Sequence, residues 1–298
     1  MSISSWDELF ERFAGSQRYA DRTLKTYRRN LDNFLTFSQS VSPQDVTAAQ
    51  LSAFHAAQKK SVASATGVWR MRALLVILRW AVRQGFLAFD PGEDFVIRKP
   101  RRPIPRILTC DEVELLLQAP SRSRRRFFRA RDSALLETLY GSGLRAGEVA
   151  GLDLDQVDIS DQTFTVLVSK GQPRRTPFGD SVAQALVTYL ECRSERAQAL
   201  EKAFFVTMNG YRIRAGMIST MVRQYADFLG IPDATPHALR RAFATHLLEN
   251  GANIVELKAL LGHADIDSTQ YYAKINPTEM FFSYRKSHPR ARRQEDRK

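Results

Sequence analysis

Residues 235–275 read TPHALRRAFATHLLENGANIVELKALLGHADIDSTQYYAKI, and the rest of the chain is interpreted from this stretch. Thr235-Pro236 is a helix start signal, with proline at the first helical position, where its missing N–H costs nothing. His237 and Arg240 are three residues apart and share one face of the helix that follows. Leu239, Phe243 and Leu247 recur four apart and give that helix a face to bury. Leu261-Gly262-His263 reads as a helix ending in glycine with a histidine just past it. A loop and a new capped turn then carry Tyr271 and Tyr272. Three short helical segments can thus bring histidine, arginine, histidine and tyrosine to one spot. Arginine offers a planar fork to phosphate, histidine moves protons near neutral pH, and tyrosine can act as a covalent nucleophile.

This pattern resembles the C-terminal motif of the tyrosine recombinases, the integrase family that cuts and rejoins DNA. The matching residues are His237-Ala238-Leu239-Arg240, then Leu261-Gly262-His263, then Tyr272 nine residues beyond the second histidine. Arg241 stands where the family most often has histidine. The run Tyr140-Gly141-Ser142-Gly143-Leu144-Arg145 through Glu148 resembles the family's first arginine motif. Taken alone, its glycines permit a sharp turn, Arg145 heads a short helix, and Glu148 can hold the guanidinium in place.

Residues 163–169, TFTVLVS, alternate as a strand, and 174–178 read as its return, so Lys170 sits at a hairpin tip. On spacing alone it is an ordinary exposed turn lysine. The resemblance assigns a general-acid lysine to this hairpin, followed by glycine and, five residues on, an arginine; Lys170-Gly171 and Arg175 fit, with Ser169 in place of a frequent glycine. The implied catalytic set is Arg145, Lys170, His237, Arg240, His263 and Tyr272 as nucleophile, supported by Glu148. Tyr271 points about 100° away from Tyr272 on a helix and is left to packing or a supporting contact. A metal site on His237, His246 and His263 has no carboxylate or cysteine at ligand spacing, so neither a metal nor another cofactor is expected.

The length of 298 residues suggests two domains on the soft prior of about 150 each, and 44% hydrophobic content suffices for two cores. Residues 1–92 read as a helical domain. Its segments are an N-terminal helix with a capping box at Ser5-Trp6-Asp7-Glu8, then 23–37, 47–58 and 66–84, the last stopped by Gly85. Residues 93–106 form a basic, proline-rich linker containing Arg98, Lys99, Arg101 and Arg102. Residues 107–298 form the second domain. The fold class expected is mainly α with a small antiparallel sheet. The resemblance makes it a SAM-like, core-binding helical bundle followed by an α+β catalytic domain.

The net charge of +12 invites a polyanion, nucleic acid before anionic membrane, although charge can also serve solubility alone. Arg28, Arg70, Arg98, Lys99, Arg101, Arg102, Arg175 and Arg241 are candidate DNA contacts; solvation of the bundle surface explains the N-terminal ones equally well. Two scattered cysteines fit a reducing compartment, early acidic residues do not fit a targeting peptide, and no apolar run approaches a membrane span. A cytoplasmic, nucleoid-associated protein is the expectation.

The tail carries Met280, Phe281, Phe282 and Tyr284, which either pack on their own domain or, as the resemblance implies, dock into a neighbouring protomer of a tetramer. Residues 287–292, SHPRAR, resemble the ending of Xer-type recombinases. The resemblance then implies a double-stranded recombination site as substrate, and a homotetramer or a heterotetramer with a paralogous recombinase. A DNA translocase or accessory protein could control it. Chromosome or plasmid dimer resolution is the expected role. A phage or mobile-element integrase, or a DNA-binding accessory protein without cleavage, stands as the alternative.

Overall fold

The computed structural model describes residues 5–16, 19–39, 42–61, 64–97, 105–167, 173–198, 200–262, 284 and 286–290. Two compact units divide the chain, residues 1–104 and 105–298.

The first unit is helical. Helix α1 (Trp6–Ser16) starts where the Ser5 hydroxyl accepts the Glu8 amide at 3.2 Å, and it buries Trp6, Leu9, Phe10 and Phe13. Helices α2 (Asp21–Ser38), α3 (Ala48–Ser61) and α4 (Ser64–Arg83) follow. The apolar stripe of α4 buries Met71, Leu74, Leu75 and Leu78, as the sequence periodicity predicts. Aromatic edges lock the bundle: Phe13 meets Trp80 at 5.5 Å and Phe34 meets Phe54 at 5.3 Å, both nearly perpendicular.

The second unit is built around α6 (Arg126–Ser142), a helix buried along most of its length against α8 (Asp180–Ser194). Before it runs α5 (Cys110–Gln118), whose N-terminus closes with a full capping box between Thr109 and Glu112. After it come α7 (Ala146–Gly151) and three antiparallel strands in sequential order, β1 (Val157–Asp158), β2 (Thr163–Val166) and β3 (Arg174–Pro177). In the hairpin Phe164 pairs with Thr176 and Val166 with Arg174, while Thr165 pairs with Arg175. Because side chains alternate, Arg174 and Thr176 take the face of buried Phe164 and Val166, and Arg175 takes the other. Helices α9 (Ala215–Leu229), α10 (Pro236–Glu249) and α11 (Ile254–Leu261) complete the described core. Thr235 caps α10 as read from sequence, and Leu239, Phe243 and Leu247 are fully buried.

The described tail residues pack on their own unit. The Tyr284 hydroxyl donates to the Gly141 carbonyl at 2.6 Å, and the His288 ring lies 5.0 Å from Tyr284 and 5.1 Å from Tyr140. Among the described residues, no helix is long and apolar enough to cross a membrane.

Candidate active site

Helix α6 ends at Gly143 in the left-handed conformation, φ 64°. A Cβ there would lie 2.5 Å from the Phe243 ring, so the turn demands glycine both for its dihedral and for its contact with α10. The chain then re-enters a helix at once, with Arg145 at the N-cap of α7. Glu148, at the third position of that helix, reaches back to accept the Arg145 amide at 2.8 Å and Arg145 Nη1 at 2.9 Å. The carboxylate also accepts both terminal nitrogens of Arg174, each at 3.0 Å, in a bidentate fork. Arg240 Nη1 lies 3.8 Å from the same carboxylate.

Arg240 comes off α10 and joins two helix ends. Its Nη1 donates to the Gly143 carbonyl and its Nη2 to the Leu261 carbonyl, both at 2.6 Å. These carbonyls belong to the C-terminal turns of α6 and α11, where the backbone leaves acceptors that favour a cation. Among the described residues three guanidiniums therefore surround one carboxylate, which leaves a surplus of two positive charges.

The side chains differ in access: Arg145 is 40% exposed, whereas Arg174 and Arg240 are 13% and 8% exposed. Burial lowers the Arg240 pKa to about 10, helped by the positive charges of Arg145 and Arg174 and opposed by Glu148. It stays protonated at neutral pH, but its charge is under-compensated. Burial alone would raise the Glu148 pKa; hydrogen bonds from Arg174 and the Arg145 amide outweigh it and hold the carboxyl below its ordinary value. The cluster thus carries the surplus of positive charge that an anion of the phosphate class would require.

His237 is exposed on α10, one turn before Arg240. Lys170, His263, Tyr271 and Tyr272 lie outside the described residues, as do Arg98, Lys99, Arg101 and Arg102. Of the other candidate contacts, Arg28 pairs with Asp7 at 2.6 Å and Asp32 at 2.9 Å, and Arg70 donates to Gln58 Oε1 at 2.7 Å. Arg175 bonds Asp161 and Thr163 on the outer face of the hairpin, and Arg241 donates to the Arg106 carbonyl. His246 is buried with its Nδ1 3.0 Å from the Tyr140 hydroxyl. Among the described residues, no His, Cys, Asp and Glu group is placed to hold a metal ion. Arg174 is the member of the cluster that counting along the hairpin missed. The signal that could have found it is strand alternation, which puts it on the inner face with Thr176.

Comparison with known proteins gives this guanidinium cluster its context. Residues 106–279 match the phage integrase family and residues 7–85 match the phage integrase N-terminal SAM-like domain. The tyrosine recombinase XerC of Thermodesulfovibrio yellowstonii is 31% identical over 283 residues, covering 93% of each chain. That of Corynebacterium efficiens is 33% identical over 273 residues, covering 91% of this chain and 87% of the relative. Among solved structures, XerA recombinase is 26% identical with a TM-score of 0.51, covering 93% of this chain and 97% of the other. A lambda integrase dimer bound to a COC' core site has a TM-score of 0.71 at 17% identity, covering 91% of this chain and 78% of the other, a likeness of fold. The chain belongs to the phage integrase family and is a tyrosine recombinase of Xer-like type.

Proposed function

We propose that this enzyme breaks and reseals a DNA phosphodiester at a specific site, with Arg145, Lys170, His237, Arg240, His263 and Tyr272 as its reacting set. The observation that carries the reading is the under-compensated guanidinium cluster at Glu148. A phosphodiester gathers negative charge on its nonbridging oxygens as it is attacked, and Arg145 and Arg240 hold those oxygens. Each such contact contributes about 10²–10³-fold in rate. His263 adds a hydrogen bond. Tyr272 attacks phosphorus and becomes joined to the 3′ end of the strand. A protonated phenol is a weak nucleophile at neutral pH, so it needs a proton acceptor, and His237 fills that role. Lys170 gives a proton to the departing 5′ oxygen. The covalent ester conserves the bond energy, so the 5′ hydroxyl of a second strand reverses the step and rejoins the DNA.

The finer assignment is an Xer-type role in resolving chromosome or plasmid dimers, in the cytoplasm. Relatives named XerC that are more than 30% identical over nearly the whole chain support it above a mobile-element integrase. The working assembly is a tetramer of this chain or of this chain with a paralogue. In that assembly the tail, whose described residues pack on their own unit in the single chain, docks into a neighbouring protomer.

The test starts from the DNA that crosslinks to the protein in its own cells. A duplex carrying that sequence and a nick beside the scissile phosphate traps a cleaving enzyme as a covalent adduct, visible on a denaturing gel. Tyr272→Phe removes the adduct; an adduct that survives this change refutes the assignment, and a wild-type protein that only shifts duplex mobility refutes cleavage.

A further inference from the structure

We infer that Arg174 is a positioning residue of the strand-transfer site, acting through Glu148 and Gly262. The inference rests on the recombinase reading above and adds a residue to it.

Among the described residues Arg174 holds the Glu148 carboxylate with the most side-chain bonds: two parallel bonds of 3.0 Å against a single side-chain bond from Arg145. With both terminal nitrogens on the carboxylate and little exposure, Arg174 does not face an incoming phosphate. Arg145 does, being the most exposed of the three. The division of labour follows from this geometry. Arg174 occupies both oxygens of Glu148 and fixes the plane of the carboxylate. Arg145 is thereby oriented without being neutralised outright. Without the fork, Glu148 turns toward Arg240, already 3.8 Å away, and takes up the charge the phosphate needs.

A second contact points the same way. Gly262 ends α11 at φ 60°, and a Cβ on it would lie 2.8 Å from Arg174 Nη1 and 3.1 Å from Cζ. The guanidinium therefore lies against the Gly262 backbone, at the residue that precedes His263 in the chain. One side chain from the return strand of the hairpin thus braces both the carboxylate behind Arg145 and the C-terminal end of α11 at Gly262. Its buried Nε has no hydrogen-bond partner among the described residues, so the fork and this seat are what fix it.

Lysine in this place keeps the charge and loses the fork, so Arg174→Lys isolates geometry. Single-turnover adduct formation on the nicked duplex should fall at least about tenfold, the scale of a misplaced clamp, with duplex Kd within about threefold of wild type. A structural role alone would not give the next result: Arg174→Lys combined with Glu148→Gln should cleave within about twofold of Glu148→Gln alone, because the pair acts as one unit. Should thermal melting show Arg174→Lys unfolded at the assay temperature, Arg174→Met on the Glu148→Gln background removes both buried charges together. That variant should again match Glu148→Gln. Cleavage by Arg174→Lys within twofold of wild type overturns the inference, and so does a double variant slower than Glu148→Gln by the full single effect. A wild-type protein that forms no adduct overturns the recombinase reading instead.

Discussion

Two charge clusters in the second unit are near mirror images. At one, three guanidiniums share a single carboxylate, Glu148. At the other, the single guanidinium of Arg290 lies 2.5 Å from both Glu137 and Glu114 and ties the tail to α6 and α5. The first has positive charge in surplus; the second has negative charge in surplus. Burial pushes the Glu137 pKa up, although Arg290 opposes it, whereas the arginines hold Glu148 down. The cluster in which carboxylates outnumber the cation holds the tail to α5 and α6 and repels a phosphate. The cluster with cations in surplus has the charge that the proposed phosphate site requires. Both clusters are built from direct guanidinium–carboxylate contacts, and the balance of charge separates a tie within the chain from the proposed use at a phosphate.

The largest effect that would break this contrast is at Arg240. Arg240→Ala should slow adduct formation by about 10²–10³-fold in single-turnover assays. It also leaves the Gly143 and Leu261 carbonyls without this donor, so a drop in melting temperature should accompany it. At the mirror cluster the effect is on stability. Arg290→Ala leaves buried Glu137 without its cation and should cost about 2 kcal/mol in denaturant unfolding, below the usual range for a buried pair because Arg290 is partly exposed. If Arg290→Ala instead abolished cleavage with stability intact, the distinction between the clusters would fail.

Much of this was legible in the sequence. The caps at Ser5 and Thr235, the apolar stripe of α10 and the hairpin all follow from spacing and residue type, because local rules decide them. Arg145 and Arg240 could be named, since their motifs are compact. The Arg145–Glu148 contact also follows from its three-residue spacing, but the meeting of Arg174 and Arg240 with the same carboxylate could not be derived, because it joins α7, β3 and α10 across long stretches of chain. Arg174 escaped for a different reason: counting residues from Lys170 assumes a hairpin length, and two adjacent arginines differ only in the face they take. The fate of the tail was also open, since an apolar segment near a terminus does not say which surface covers it; the described part packs through Tyr284 and His288 on α6 and α10.

The mirror clusters should also differ in the sign of their pH response. Glu148 has a lowered folded pKa, so its contribution is complete above the ordinary carboxylate value and is lost as pH falls through the folded one. Glu137 has a raised folded pKa, so its contribution is complete below the ordinary value and is lost as pH rises through the folded one. Thermal melts from neutral pH into acid should therefore show Glu148→Gln less acid-sensitive than wild type and Glu137→Gln more so. Equal slopes for the two variants would contradict the opposite charge balance.

The smallest effect sharpens the comparison within one strand. Arg175 is next to Arg174 but lies on the outer face, exposed and paired with an exposed Asp161. Surface ion pairs of this kind contribute little, at most about 1 kcal/mol. As a candidate DNA contact Arg175 would act through charge alone, by neutralising one phosphate. Arg175→Ala should therefore weaken duplex binding by less than about tenfold near physiological salt and make the slope of log K against log salt shallower by about one. An unchanged slope would remove Arg175 from the DNA surface. A loss of cleavage as large as that of Arg174→Lys would mean that the face of the strand, and with it the separation of bracing from binding, does not govern how these two arginines are used.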